Sequence, residues 1–352
     1  MREVNRHYIF IVISSFLLSC SNKHSDINSI SVVPPHNDTL YGTILEEYVR
    51  SKSSKFIFLT PYGIVCATGS EKGVIELLDT IDGHAIYSRV KNGKGPQELI
   101  SSLGQGFNEV TNEFSVLDIS KTQINNYKIS DTGLVLSSYI KYNNLYPQSI
   151  RNLSDSTTVM LTAMPNQSVL LLDKNGRIKD QVQYRLFDEA GLSYDRYFEP
   201  AVLDVSRKNK IIVVAANHLP SLSLYSYEND KLKLLWTKMI FKPYYTFKNN
   251  WRWVIPDKNR GGFENLEVSD NYIYVTYYGI KSGDWEKQIN RDFNEITLLV
   301  FDFKGNLVKS ILLDKNVFTY TVSKDDRILY GMIERPDRLI VKYNLNFNLH
   351  PQ

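Results

Sequence analysis

Apolar residues along the chain fall in short runs rich in Val, Ile, Leu, Tyr and Phe, separated by Gly, Asn and Asp turns, with almost no helical periodicity. Such a pattern predicts an all-β protein. One unit recurs: an apolar strand that often ends near Asp, a polar turn, then a second strand. It stands as IELLDTIDGHAIYSRV, INNYKISDTGLVLSSYI, VLLLDKNGRIKDQV, LSLYSYENDKLKLLWTKMI and LLVFDFKGNLVKSILL, and a final copy, LIVKYNLN, stops after its first strand.

With Leu78, Tyr127, Leu172, Tyr225, Phe301 and Tyr343 as equivalent positions, the separations are 49, 45, 53, 76 and 42 residues. Those lengths suit propeller blades, about 40 to 50 residues of four strands each. Further strand-like runs precede the hairpins: FSVLD, TVMLTA, KIIVVAA, YIYVTYY and RILYGMI. The expectation is a six-bladed β-propeller with four-stranded antiparallel blades. Its sixth blade lacks a last strand, and the otherwise unpaired TLYGTILE, Thr39 to Glu46, is expected to supply it and close the ring, which removes exposed sheet edges. A sandwich would not need six similar units, and a solenoid would need capping repeats.

Composition agrees with a globular chain: of 352 residues 43% are hydrophobic and 22% charged. The 41 basic and 38 acidic residues are interspersed without a Lys/Arg block, so nucleic acid is not an expected partner. At the N-terminus Arg2 and Arg6 precede an apolar run, Tyr8 to Leu18, that reads as a signal peptide over residues 1–19. Leu17-Leu18-Ser19-Cys20 has the form of a bacterial lipobox, in which Cys20 is the lipid attachment site. An ordinary secretory signal with an incidental cysteine is the alternative. Residues 20–38 then form a lipidated, polar tether and residues 39–352 the propeller, held to a membrane through lipid, expectedly the outer membrane. Cys66 alone remains after Cys20, so no intramolecular disulfide forms in the mature chain, and its apolar setting predicts an inert buried thiol.

Local motifs for chemistry are scarce. KNGKGPQEL, Lys91 to Leu99, resembles a phosphate loop, but Pro96 supplies no N–H and no helical pattern follows. A backbone bend between strands is the expectation. The six histidines, at 7, 24, 36, 84, 218 and 350, have no metal-ligand spacing, and neither a metal nor a cofactor is expected. DKNGRIKD, Asp173 to Asp180, hints at a calcium loop, yet Tyr184 stands where the twelfth-position Glu belongs, so a hairpin turn is expected. G-x-S-x-G and sialidase boxes are missing. A site assembled from one residue per blade would leave no local motif.

The lipobox, the six hairpins and GKGPQE, Gly93 to Glu98, together resemble the TolB-like six-bladed propeller lipoproteins exported by Gram-negative bacteria. Members often carry a G-x-G-P-x-E-like motif between the first and second blades. The resemblance covers nearly the whole mature chain and implies fold and location rather than activity. Gly93 and Gly95 are expected to allow backbone bends, and Glu98 either accepts backbone N–H groups or points into the channel.

The longest departure from the repeat, between the fourth and fifth hairpins, holds Tyr244, Tyr245, Phe247, Trp251, Arg252 and Trp253. A second long connection brings Trp285 and Arg291. Long insertions on a rigid scaffold often carry function, and aromatic rings beside Arg suit a sugar or a peptide. The expected ligand contacts are Trp251, Arg252, Trp253, Tyr244, Tyr245 and Trp285, unless these rings only cover a blade edge. The leading functional expectation is a binding or interaction module for a glycan, peptide or envelope protein. The alternative is a hydrolase or lyase acting on a sugar or lactone through channel carboxylates. The sequence leaves the oligomeric state open.

Overall fold

The computed structural model describes residues 36, 38–45, 56–70, 73–88, 90–91, 93–100, 103–130, 133–142, 145–163, 167–184, 200–217, 219–239, 245–248, 251–254, 261–277, 296–333 and 339–345. They form seven sheets, of which six, built on antiparallel strands, make a ring and the seventh is a two-stranded hairpin. Blade 1 runs from Ile57–Thr60 through Gly63–Ser70 and Gly73–Leu78 to Ala85–Ser88, and blade 2 from Leu103–Asn108 through Glu113–Asp118 and Gln123–Ser130 to Gly133–Lys141. Blade 3 spans Pro147–Asn152 to Ile178–Gln183, blade 4 Ala201–Ser206 to Lys231–Met239, and blade 5 Phe263–Val268 to Leu307–Leu313. Blade 6 contributes Val317–Val322, Ile328–Ile333 and Leu339–Asn344.

The predicted closure is present, but the N-terminal segment divides its work. Thr43–Leu45 pairs antiparallel with Leu339–Asn344 and completes blade 6. Just before it, Asp38–Leu40 pairs parallel with Leu307–Leu313 and adds a fifth strand to blade 5. Asp314 fixes the crossing: its N–H donates to the Leu40 carbonyl (3.1 Å) and its carboxylate accepts from the Gly42 N–H (3.0 Å).

Six hydrophobic clusters fill the described core, one between each pair of neighbouring blades. The second and third strands pack against a blade on each side, which explains why Ile211–Ala216 and Ser168–Asp173 are nearly continuous apolar runs. Outer strands such as Ile178–Gln183 are half-buried to exposed and largely polar. Cys66 is fully buried in the cluster that joins blades 6 and 1. Asp173 accepts the N–H groups of Asn175 (2.8 Å) and Arg177 (2.9 Å), and Gly176 has φ +78°, so DKNGR is a hairpin turn. Asp302 and Gly305 repeat the device in blade 5.

In blades 1 to 5 four consecutive strands form a meander, so the chain returns to one face of the disc before entering the next blade. Blade-to-blade linkers and second-to-third-strand connections therefore share one face, the linker face. The first-to-second-strand turns lie on the other, the turn face.

Candidate ligand site in the central channel

The first strands line the channel, and those of blades 3 to 6 carry a charged or polar residue near the C-terminal end: Arg151, Asp204, Glu267 and Thr321. A hydrogen-bonded belt links these residues. Ile150 N–H donates to Gln105 Oε1 of blade 2 (2.7 Å), and Arg151 Nη1 donates to the Gln105 carbonyl. Arg151 Nε donates to Asp204 Oδ1 (2.8 Å), and Asp204 Oδ2 accepts from the Val268 N–H (2.6 Å). Thr321 Oγ1 donates to Glu267 Oε2 (3.2 Å) and accepts from the Leu59 N–H of blade 1 (3.2 Å). The belt thus spans blades 2, 3, 4, 5, 6 and 1.

On the turn-face side of the belt is a cavity of about 330 Å³, whose wall includes Phe58, Phe107, Arg151, Asp204, Glu267 and Thr321. Its mouth is drawn together by side chains from the turn-face loops. Arg207 of blade 4 reaches the Asn152 carbonyl of blade 3 (2.6 Å from Nη2) and the Phe107 carbonyl of blade 2 (3.1 Å). Lys324 of blade 6 donates to the Val268 carbonyl (2.9 Å) and lies 3.8 Å from the Glu109 carboxylate of blade 2. The Arg151 guanidinium also sits 5.9 Å from the centre of the Phe58 ring, within cation–π range.

Electrostatics separates the acidic groups. Asp204 is ion-paired with Arg151, and each of its carboxylate oxygens accepts a hydrogen bond. Burial pushes the proton affinity of Glu267 well above the ordinary carboxylate range, and the nearby negative charge of Asp204 adds to it, while Arg151 and Lys324 oppose. Desolvation lowers the pKa of Arg207, countered by Glu109 and Asp204. No carboxylate lies within ion-pair distance of Arg207 among the described residues.

The channel carboxylates do not join a group of three His, Cys, Asp or Glu able to hold one cation. Among the described residues such a group occurs only at Asp79, Asp82 and His84, in an exposed hairpin turn of blade 1.

A family model of the TolB-like 6-blade propeller-like proteins matches residues 84–325. The chain belongs to that TolB-like family. No curated protein sequence matches it. Among solved structures, this TolB-like protein resembles a DUF4221 family member from Bacteroides vulgatus, with 10% identity, TM-score 0.56, and 90% of this chain and 98% of that chain covered. BF0058 of Bacteroides fragilis, whose export is itself inferred, has 11% identity and TM-score 0.55, with 89% and 97% covered. U3-55K has 9% identity and TM-score 0.53, with 89% and 100% covered. At these identities the likeness concerns the fold.

The GKGPQE segment, which belongs to the linker face, does not reach the cavity. Glu98 Oε2 accepts the Gly95 N–H (2.8 Å), so its carboxylate braces its own loop. Lys121, from the turn between the second and third strands of blade 2, donates to the Gly95 (2.7 Å) and Glu98 (2.5 Å) carbonyls. A Cβ on Gly95 would fall 2.9 Å from Glu98 Oε2, a physical reason for glycine there.

The aromatic insertion forms a hairpin, Tyr245–Lys248 paired with Trp251–Val254, in the linker between blades 4 and 5. The blade strands on either side of it, Lys231–Met239 and Phe263–Val268, end and begin on the linker face, opposite the cavity mouth. Strand alternation puts positions 251 and 253 on one face of the hairpin and position 252 on the other. Cys20, Tyr244 and Trp285 lie outside the described residues. Reading the sequence missed Arg151, Asp204, Arg207, Glu267, Thr321 and Lys324. The available signal was a polar residue recurring inside or just after the first strand of successive units.

Proposed function

We propose that this protein is an exported propeller lipoprotein of the cell envelope that binds a small polar ligand in its channel cavity, without chemistry. The cavity carries the reading: a closed ring with a residue-sized hollow lined by charged groups from several blades has the features of a ligand site, including perturbed proton affinities. Export is supported by Arg2, Arg6 and the apolar run before Cys20, and by the likeness to BF0058. Lipid attachment at Cys20 accounts for the lipobox and is tested by fatty-acid labelling, which Cys20→Ala should abolish. Pro61, exposed at the cavity mouth, offers a test of the site. In a screen of glycans and envelope peptides against the full chain in detergent, Pro61→Trp should abolish binding. Binding that survives this change but is lost in Trp251→Ala or Trp253→Ala would move the site to the aromatic hairpin.

The raised proton affinity of Glu267 beside the Asp204 carboxylate favours one second reading, a hydrolase or lyase with Glu267 as general acid. Turnover of a sugar or lactone by the parent chain, lost in Glu267→Gln with ligand affinity kept, would establish it.

A further inference from the structure

Around the cavity, hydrogen-bond donors exceed the acceptors left to meet them. Arg207 commits Nε and Nη2 to backbone carbonyls, and its Nη1 neither has a partner among the described residues nor is sealed away from solvent. Arg151 Nη2 is in the same condition. Lys324 gives one of its three N–H groups to the Val268 carbonyl. On the acceptor side, each Asp204 oxygen already takes one hydrogen bond, Glu109 lies 3.8 Å from Lys324, and burial raises the proton affinity of Glu267, whose Oε2 accepts from Thr321.

Charge points the same way. Arg151, Arg207 and Lys324 face Asp204 and Glu109, three cationic side chains against two carboxylates, so the described wall carries one surplus positive charge when Glu267 holds its proton. A monoanion neutralises this surplus, whereas a dianion would overshoot it beside two carboxylates. Phe58, Leu59, Pro61, Phe107 and Val322 supply an apolar part of the wall, beside the hydroxyl residues Thr60, Thr321 and Ser323. A volume of about 330 Å³ holds a ligand of roughly one ring.

We propose that the channel cavity binds a small organic monocarboxylate, its oxygens held by Arg207 Nη1 and Lys324 Nζ and its carbon body laid on Phe58 and Phe107. This rests on the channel-binding reading above.

Calorimetry on the full chain in detergent, with matched probes, tests the proposal: phenylacetate against phenylacetamide, glucuronate against glucose, and inorganic phosphate alone. At least one carboxylate should bind ten or more times tighter than its uncharged partner, on the scale of a charge-assisted hydrogen bond. Pro61→Trp should abolish that binding, and Lys324→Gln and Arg207→Gln should each weaken it about tenfold or more. Arg207 also ties loops together, so Lys324→Gln, whose side chain is 38% exposed, keeps the test valid if Arg207→Gln misfolds. Equal affinity within each pair, still abolished by Pro61→Trp, overturns the carboxylate assignment and leaves channel binding standing. Phosphate bound as tightly as the carboxylates overturns the organic-acid class. No carboxylate binding up to the solubility limit overturns the proposal, and a screened glycan or peptide ligand indifferent to Pro61→Trp overturns the channel reading as well.

Discussion

The Arg151 guanidinium of blade 3 donates to the Asp204 carboxylate of blade 4 across 2.8 Å, with both side chains about nine-tenths buried. Removing one partner of such a pair leaves an uncompensated charge in a nearly closed site. Asp204→Ala should therefore cost about 3 to 5 kcal/mol of stability. Replacing both residues, as Arg151→Met with Asp204→Leu, should cost much less, because no charge is then stranded. Chemical denaturation of the single and double variants measures the difference; equal losses would show that the pair acts through packing.

Glu267 should give stability a pH dependence of a definite sign. Its proton affinity is raised in the folded state, so between its unfolded value of about 4.5 and its higher folded value the folded protein holds more protons. Its contribution is fully present below the unfolded value and is lost as pH rises through the folded one. Glu267→Gln should flatten the decline in melting temperature from pH 5 to 8 and raise stability at pH 8. A parent chain with the same pH profile as the variant would remove this assignment.

The repeat was legible in the sequence because it lies in the third strands, buried on both faces. The six equivalent positions, Leu78, Tyr127, Leu172, Tyr225, Phe301 and Tyr343, are each no more than 2% exposed. Packing there demands the same kind of residue every time, so a pattern survives. The channel makes the opposite demand, since each blade brings one side chain and the side chains must differ in order to pair. Arg151 meets Asp204 from 53 positions away, and Asp204 meets the Val268 amide from 64. No local motif can record such a site. The division of the N-terminal segment escaped for another reason: it depends on Gly42, where the chain crosses from blade 5 to blade 6.

Glu98 and Gly95 should behave as a unit. Glu98→Ala removes a carboxylate bonded to a backbone N–H and should cost about 1 to 2 kcal/mol. Gly95→Ala puts a Cβ 2.9 Å from the Glu98 carboxylate and forces that flexible group aside, which breaks the same bond. The double variant should then be little worse than either single one. Thermal or denaturant melts of the four proteins form the cycle, and fully additive losses would mean that the glycine and the carboxylate act independently.

Closure of the ring depends on the eight residues 38–45, and their effect should reach well beyond their length. Leu45 is buried in the cluster between blades 6 and 1, and Asp38–Leu40 covers the outer edge of blade 5. Deleting the segment uncovers two sheet edges and opens a core interface, so the whole domain should lose at least about 3 kcal/mol, the scale of one large core truncation. A point change probes the same joint without altering strand count. A Cβ on Gly42 would lie 2.3 Å from Val341 Cγ2 and 2.7 Å from the Tyr343 ring. Gly42→Val should accordingly cost about 1 to 3 kcal/mol by overpacking the crossing. Hydrogen exchange distinguishes a loosened joint from general destabilisation: Leu339–Asn344 and Leu307–Leu313 should lose protection first, while the third strand of blade 3, Ser168–Asp173, keeps its own. Uniform loss across all blades would mean that the segment supports the ring as a single cooperative unit, and an unchanged midpoint after deletion would show that the ring closes without it.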